Sequence, residues 1–236
     1  MDEASYGRGQ AEWALWRSFT VRSVTASQEV PKVFRTRIKR LLEIDRHIDF
    51  GDADVPPEAD YAFAQPADES GEIAYRAIDV FCLAIALDLL DAGFQQSEVV
   101  FLMRYLRPEL ERRFPGLLKP PSLIDRQRHR AKDYPNVPSD EKENHGDADR
   151  RLFMVLRKVE MKEIGSPEYR RRDRLPIFLE PLYCEGISAL TKELNNLLPQ
   201  RRRAVTVLEL AANARAVSIY LEQAPIIQRG RPKKEA

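Results

Sequence analysis

The stretch VPKVFRTRIKRLLEID, residues 30–45, carries the clearest structural signal in the sequence. Pro31 suits the first turn of a helix, because the N–H that proline lacks would have no intrahelical partner there. The apolar residues that follow recur at helical spacing, which predicts a helix to about Asp45 with one face on a core. They are Val33, Phe34, Ile38, Leu41 and Leu42. Arg35, Lys39 and the neighbouring basic residues then fall on the outer side.

The basic residues of this stretch concentrate positive charge in a chain whose net charge is only +1. They are Lys32, Arg35, Arg37, Lys39, Arg40 and Arg46, against Glu43 and Asp45. A chain that is nearly neutral overall but locally basic can bind phosphate groups at the basic patch. The alternative interpretation is a set of solvated helix faces, and charge alone does not separate the two.

The residues before this helix complete a helix-turn-helix pattern. A helix is predicted over 10–17, which places Trp13 and Trp16 on one side, and a helical turn over 21–25 follows it. After the polar break at 26–29, the basic helix is the second helix of the pair. A helix in that position enters the major groove and offers hydrogen-bond donors to phosphates and base edges.

Two more helices are predicted in the first half of the chain. One covers 73–90 and ends at Gly93, since glycine accepts the left-handed conformation just past a helix. Ser97 can cap the next helix, which runs through Leu106. The segment 50–71 is rich in Asp, Pro and Gly, which indicates a loop or a small β-hairpin. Prolines are expected to prevent one long helix after that; they are Pro108, Pro115, Pro120 and Pro121.

A change of composition marks the predicted domain boundary at residues 119–150, which contain further prolines and few large apolar side chains. Behind it, 152–164 starts apolar and then alternates, as a strand does. Two prolines restrict 175–183 to an edge strand or an extended lining. Ser188 is expected to cap a helix, and a last helix is predicted over about 203–223.

The predicted fold is therefore mainly α with an α+β second half. A winged helix-turn-helix domain occupies 1–118, the Pro-rich polar linker follows at 119–150, and a small α+β domain occupies 151–226. A basic tail completes the chain at 227–236. The second domain is assigned to dimerisation or effector sensing, and the Ala-rich stripe of its last helix is the predicted dimer surface because small residues permit close approach.

A resemblance to a known family supports the DNA-binding interpretation. The segment YRAIDVFCLAIALDLLDAGFQQSEVVFLM, residues 75–103, resembles the second helical pair of the MerR family, the transcription regulators of mercury-resistance type. In that family a wing ends in Tyr-Arg, Asp-Val opens a helix that closes at Gly-Phe, and Glu-Ile begins the next helix. The corresponding pairs here are Tyr75-Arg76, Asp79-Val80, Gly93-Phe94 and Glu98-Val99.

The basic helix also enters this resemblance. TRIKRLLEI, residues 36–44, is similar to the recognition helix of the family, although Lys39 and Arg40 stand where the family has a pair of tyrosines. The resemblance covers about 18–106 and implies a winged-helix fold and DNA binding. The long antiparallel coiled coil through which the family dimerises is not expected, because prolines interrupt the segment that would form it.

The expected DNA contacts follow from these positions. Along the basic helix and the turn before it they are Arg22, Lys32, Arg35, Thr36, Arg37, Lys39 and Arg40. Arg76, at the foot of the wing, is a phosphate contact implied by the resemblance. In the tail, Arg229-Gly230-Arg231-Pro232 resembles the core of an AT-hook, whose arginines enter the narrow minor groove of A/T tracts. The alternative is a basic tail that adds only non-specific affinity.

Other function classes lack their sequence signatures. Cys82 and Cys184 lie in apolar surroundings, which favours buried thiols over a disulfide. Scattered histidines predict no metal site, and no cofactor is expected. The absence of phosphate-loop, nucleophile-elbow and metalloprotease motifs argues against an enzyme, although a carboxylate pair assembled in space has no sequence signature. Without an apolar membrane segment or a signal pattern, a cytoplasmic, nucleoid-associated location is expected.

The sequence thus predicts a transcription regulator, a repressor that binds duplex DNA sequence-specifically as a homodimer. A small-molecule or protein effector fits this prediction. The alternative is a non-enzymatic adaptor whose basic patches bind an acidic protein partner.

Overall fold

The computed structural model describes residues 4–20, 29–48, 59–65, 73–119, 149–159, 177–178, 180–197 and 205–226. Its first half contains α1 (Arg8–Thr20), α2 (Lys32–His47), α3 (Ala77–Asp91) and α4 (Gln96–Leu117). Its second half contains β1 (Leu152–Val159), β2 (Ile177–Phe178), β3 (Leu182–Glu185), α5 (Gly186–Leu197), β4 (Val205–Glu209) and α6 (Leu210–Gln223). The described chain is mainly helical with an α+β second half, as predicted.

α3 is the most deeply buried helix. Every residue from Ile78 to Leu87 is buried, because α1, α4 and α6 pack around it. The helix begins at Ala77 rather than at the predicted residue 73, since Tyr75 is held in extended conformation by backbone hydrogen bonds of 2.8 and 2.9 Å with Tyr6. Gly93 follows the end of the helix with a φ of +91°, as its predicted role requires.

α4 differs from the prediction at both ends. Gln95 is its N-cap, with its N–H bonded to the Glu98 carboxylate at 3.0 Å, and Ser97 lies in the first turn instead of capping it. Pro108 and Pro115 both lie inside the helix, so the expectation that they interrupt it is wrong. An interior proline costs about 3 kcal/mol. Burial on either side of the prolines offsets this cost; the apolar residues buried are Val99, Val100, Leu102, Met103, Leu106, Leu110, Phe114 and Leu117.

β1 is the central strand of an antiparallel sheet. One edge pairs with β3, where Val155 lies opposite Leu182, and the other pairs with β4, where Val155 lies opposite Val207. β2 continues along the β3 edge, with Phe178 opposite Lys158. The predictions of a strand from residue 152 and of an edge strand within 175–183 are therefore confirmed.

The sheet packs between the helical core and α5. Met154 and Leu156 point toward the helices of the first half, whereas Phe153 and Val155 point toward Leu190 of α5. Alternate residues of a strand face opposite sides of its sheet, so one apolar strand covers both. This explains why residues 152–156 of β1 are all buried.

The N-terminus of α5 is capped by a residue that lies far from it in the sequence. It begins at Gly186, whose φ of +76° favours glycine, and not at the predicted cap Ser188. The cap is Asp149, whose carboxylate accepts the N–H of Ile187 at 2.9 Å. The hydrogen bond from Arg151, with that from Ile187, holds the pKa of Asp149 well below its usual range.

The predicted last helix is wrong in its first part. Residues 205–209 form β4, and α6 begins only at Leu210. Val205, Thr206 and Val207 are β-branched, which favours a strand, and β1 supplies the partner for their backbone. Val207, expected in the core, is 37% exposed on the side of the sheet that α5 covers elsewhere.

One hydrophobic cluster joins the two halves of the chain. It includes residues of α1 to α4 together with Met154 of β1 and Ala211, Ala214 and Leu221 of α6. The Ala-rich stripe of α6 thus packs within its own chain, and its prediction as the dimer surface is wrong. Most of the predicted linker, residues 120–148, lies outside the described residues, so the division into domains stays a prediction.

Several other features have definite outcomes. Cys82 and Cys184 are free buried thiols, as expected.

None of the described helices combines the length and apolar character that crossing a membrane requires. The turn at 21–28 and most of 50–71 lie outside the described residues, and the described part of that loop, 59–65, is irregular. The winged helix-turn-helix therefore stays a prediction.

Candidate nucleic-acid interface

α2 presents two chemically opposite faces because of its residue spacing. The helix starts after Pro31, whose carbonyl accepts the N–H of Arg35 at 3.1 Å. Its inner face packs on the core through Phe34, Ile38, Leu41 and Leu42. The helix is thereby fixed to the core, and the residues opposite this stripe must face solvent. Val33 was expected on the inner face but is 75% exposed, so that prediction is wrong.

The outer face of α2 is cationic along its first three turns. Lys32, Thr36, Lys39 and Arg40 are all exposed, with the Lys39 side chain 60% accessible. At 100° per residue these four positions fall on one side of the helix, opposite the buried stripe. We call this set the outer face. The predicted outward projection is confirmed for Lys32, Lys39 and Arg40, while their contact with DNA stays a prediction.

Arg35 and Arg37 flank the outer face instead of lying on it. Arg35 leans toward α1, where its Nε is 3.6 Å from the Glu12 carboxylate. Arg37 leans the other way, and its guanidinium lies 2.5 Å from the carboxylate of Asp91 at the end of α3. These carboxylates hold both arginines beside the outer face and lower the positive potential there.

The polar groups of the outer face differ in whether they already form ion pairs or hydrogen bonds within the protein. The Lys39 ammonium is 3.3 Å from Glu43 of the next turn, a contact between two exposed groups that water screens strongly. The Thr36 hydroxyl donates to the carbonyl of Lys32 at 2.9 Å, so its oxygen remains as an acceptor. Among the described residues, Lys32 and Arg40 form no ion pair.

Arg76 occupies a different kind of position from the one expected. It is the N-cap residue of α3, and its guanidinium lies 3.3 Å from Asp79 and 2.9 Å from Glu111 of α4. Burial opposes the charge, but these two carboxylates outweigh it and raise the pKa of Arg76. With two acidic partners, this arginine joins α3 to α4, and a phosphate would have to compete with both carboxylates for it.

An open groove of about 550 Å³ lies beside the outer face, between α2 and the turn from α3 to α4. Ile44, Leu90 and Phe94 give it an apolar floor, and Arg37 stands at its rim with the side chains of Gln95 and Gln96. Four of its seven lining residues are polar and none is acidic, so the groove offers a mixed polar and apolar surface.

Two buried ion pairs escaped the sequence reasoning. Arg104 of α4 reaches Asp45 of α2, and Arg107 of α4 contacts Asp79 of α3. Both arginines occupy the apolar face of α4, and a charge at a core position of a helix is the signal that could have identified them. Their hydrogen bonds serve the fold, because they also fix the backbone of the segment 59–65.

The remaining predicted contacts, Arg22, Arg229 and Arg231, lie outside the described residues. In the part of the chain that is described, no three side chains of His, Cys, Asp or Glu are grouped as a metal site requires. Comparison with protein families, with curated proteins and with solved structures finds no match to this chain.

Proposed function

We propose that this chain is a DNA-binding transcription regulator that inserts the outer face of α2 into the major groove of duplex DNA. The observation that carries the proposal is the position of Lys32, Lys39 and Arg40 on the side of α2 that faces away from the core. A helix held from behind by a packed face is rigid enough to place its donors at phosphates and base edges.

The order of motif residues along α3 and α4 adds support. The Asp79-Val80 pair lies in the first turn of α3, Gly93 follows its last turn, and Glu98 lies in the first turn of α4. These are the places that the resemblance to MerR-type regulators assigns to them. A winged helix-turn-helix that acts as a dimeric repressor is therefore the form of regulator we propose.

The flanking arginines have a positioning role in this proposal. Glu12 and Asp91 hold Arg35 and Arg37 at the two sides of the outer face, where a duplex would bring its sugar-phosphate strands. Because both ion pairs are partly exposed, each contributes little to stability and exchanges readily for a phosphate contact. In this proposal the residues of the outer face, and not the flanking arginines, contact the major groove.

A fluorescence-anisotropy titration tests the proposal with the genomic fragment that the chain retains most tightly. The variant Lys32→Ala/Lys39→Ala/Arg40→Ala removes the cations of the outer face. The matched control Arg112→Ala/Lys119→Ala/Lys192→Ala removes the same charge from exposed positions on α4 and α5 and just after α4. Both variants should keep the wild-type melting temperature, because exposed side chains contribute little to stability.

We expect the outer-face variant to lose specific binding and the control to keep it. The dependence of log affinity on log salt should become shallower by up to about 2.7 in the outer-face variant, at roughly 0.9 for each lost phosphate contact. Equal losses in the two variants would mean that only net charge matters, which contradicts a recognition role for α2.

A second candidate function is an adaptor that binds an acidic protein. Val33, beside the outer face, is 75% exposed, and the groove with the apolar floor lies on the same side of α2. The exposed valine and the apolar residues of the groove give a protein partner contacts that a duplex does not use. Equally weak binding to every duplex in the titration would support this candidate.

A further inference from the structure

The groove beside the outer face has the size of a site for a small molecule. Its volume of about 550 Å³ lies within the range of about 300–1,000 Å³ that is typical of such sites. The lining comes from three helices and the turn that joins two of them. Its members are Arg37, Ile44, Leu90, Phe94, Gln95, Gln96 and Ser97.

The floor of the groove is apolar and fixed in place. Phe94 is 9% exposed, and Ile44 and Leu90 are half-buried side chains that pack against the main hydrophobic cluster. Each therefore presents part of its apolar surface to the groove while the rest of the side chain is held by the core. An aromatic ring that covers this floor leaves water, which is the main favourable contribution to binding a small ligand.

The polar part of the lining is cationic and rich in hydrogen-bond donors. Among the described residues that line the groove, Arg37 is the one charged side chain. One nitrogen of its guanidinium lies 2.5 Å from the carboxylate of Asp91, an exposed residue that is not part of the lining. A guanidinium has five N–H donors in a planar fork, so it can bind a second carboxylate beside the first. The exposed hydroxyl of Ser97 adds a further donor.

The packing of α2 against α4 orders these groups along the groove. Arg104 reaches Asp45, and counting back seven or eight residues on each helix puts Ser97 beside Arg37. Ile44 lies seven residues after Arg37, which is about 10 Å along the helix axis. The groove therefore has a polar end and an apolar end, separated by a distance that a carboxylate with two fused rings can span.

We propose that this groove binds a small organic carboxylate with a body of one or two rings. The carboxylate lies at the polar end, at Arg37 and Ser97, and the rings cover the apolar floor. A neutral ligand of the same shape lacks the ionic contact, and a cationic ligand is repelled by Arg37. The groove thus selects for an anion.

Occupation of the groove has a consequence for DNA binding, and this part of the inference rests on the proposed function. Arg37 flanks the outer face, where its contact with Asp91 exchanges for a phosphate of the duplex. A carboxylate bound at Arg37 removes that phosphate contact and adds a negative charge beside the outer face. The ligand is therefore expected to weaken DNA binding, as an effector that releases a repressor does.

Titrations of the full chain, followed by NMR through the backbone amide signals, test the binding site. The probes are 2-naphthoate, its neutral analogue 2-naphthamide, and acetate, which has the same head without the rings. With 2-naphthoate we expect saturable shifts of the Gln96 and Ser97 signals. The amide should bind about threefold to tenfold more weakly, and acetate should not reach saturation.

Two matched substitutions locate the anionic head. Ser97→Asp introduces a carboxylate at the polar end, and Ser188→Asp makes the same change at an exposed position in the first turn of α5. An acidic residue is favourable in the first turn of a helix, so both variants should keep the wild-type melting temperature. Ser97→Asp should weaken 2-naphthoate binding by at least about threefold, and Ser188→Asp should leave it unchanged.

Two further substitutions test the role of Arg37. Asp91→Asn removes the carboxylate that competes for the guanidinium, so the variant should bind 2-naphthoate more tightly than wild type. Arg37→Gln removes the charge and should reduce the affinity for 2-naphthoate to the level of the amide. An unchanged melting temperature in each variant shows that the fold is intact.

The regulatory part is tested with the DNA fragment that the chain binds most tightly. Saturating 2-naphthoate should weaken its binding by wild type and make the salt dependence shallower by about 0.9, the value for one phosphate contact. Binding by Arg37→Gln should not respond to 2-naphthoate, because that variant has already lost the contact.

Three results would overturn the anion site: no saturable binding of 2-naphthoate, equal affinities for 2-naphthoate and its amide, or wild-type affinity in Ser97→Asp. Equal affinities would leave the groove as an apolar contact for a protein side chain. If bound 2-naphthoate does not change DNA binding, the regulatory part alone is wrong. If the full chain binds no duplex in a salt-dependent way, the proposed function fails, while the NMR titrations still decide the site.

Discussion

Arg104 of α4 donates from its Nε to a carboxylate oxygen of Asp45 at 2.8 Å, which joins the last turn of α2 to α4 at a site where both side chains are almost fully buried. The carboxylate of Asp45 also accepts the backbone N–H of Ala62 at 2.9 and 3.0 Å. The end of the proposed recognition helix is thus fixed to the core by a buried charge pair.

Breaking this pair should destabilise the protein strongly. Arg104→Met leaves Asp45 as a buried charge without its cation, and such a loss costs about 3–5 kcal/mol. The free energy of unfolding from urea titration measures it. Glu43→Ala, which removes an exposed carboxylate from the same helix, should stay within about 0.5 kcal/mol of wild type. Similar values for the two variants would contradict a structural role for the pair.

The pH dependence of stability should carry the signature of Asp88. Burial and the neighbouring charge of Asp91 raise the pKa of Asp88 to about 6, against the hydrogen bond from Asn213. A carboxyl group whose pKa is raised by folding stabilises the folded state below its unfolded pKa of about 3.9. That contribution disappears as the pH rises through 6.

Asp88→Asn should therefore make the protein more stable at pH values well above 6. The expected gain is on the order of 1–3 kcal/mol. It should shrink as the pH falls below 6 and vanish below about 4, where Asp88 is protonated in the unfolded state as well as in the folded state. Urea titrations of both proteins across this range measure the difference. Glu43→Gln, at an exposed carboxylate that is not among the causes of the Asp88 shift, is the control and should show a much smaller pH-dependent difference. If the difference in unfolding free energy between Asp88→Asn and wild type does not change with pH, the raised pKa of Asp88 is contradicted.

Gly93 should tolerate substitution poorly for a conformational reason alone. Its φ is +91°, and a methyl group added there meets no atom within 4 Å. Gly93→Ala should thus cost about 1–2 kcal/mol through backbone strain. Gly116, inside α4, also has open space around it but no positive φ. Gly116→Ala should be neutral or stabilising by up to about 1 kcal/mol, since alanine is the better helix former. Thermal unfolding of the Gly93→Ala and Gly116→Ala variants measures both effects, and only Gly93→Ala should lower the melting temperature.

The shared core predicts that the two halves unfold together. Met154 is fully buried between β1 and the helices, and Met154→Ala should cost about 2–5 kcal/mol. Trp13 and Trp16 both lie on α1, and Trp13 also contacts Tyr220, so tryptophan fluorescence reports on α1 and its contact with α6. We expect fluorescence and circular dichroism to show the same shift of the urea midpoint. A shift in circular dichroism with unchanged fluorescence would support two independent domains. Ile187→Ala, at an exposed site, should change neither signal.

Local signals predicted the helical elements well. The spacing of apolar residues in 30–45 indicated a helix with a cationic outer side, and Gly93 indicated the end of α3. Each of these inferences uses residues within a few positions of one another. Helix periodicity and turn chemistry act at that range, which is why they can be recognised without knowledge of the fold.

The errors fall where a distant partner outweighed the local preference. The helical spacing that begins at Val207 was extended back over residues 205–209, where β1 offers the backbone a strand partner from about fifty positions earlier. The prolines of α4 disfavour a helix locally, but burial of the surrounding apolar residues offsets their cost. Asp149, and not Ser188, caps α5 because β1 brings it there.

The amino-acid sequence by itself determined that α2 has an apolar side and a cationic side, since a fixed rotation per residue converts spacing into faces. Only the tertiary structure decided what those cations meet: Arg35 faces Glu12, Arg37 faces Asp91, and Arg76 is held by two carboxylates. The physical reason is that a helix geometry is set by neighbouring residues, whereas an ion pair depends on the distance between elements that only packing brings together.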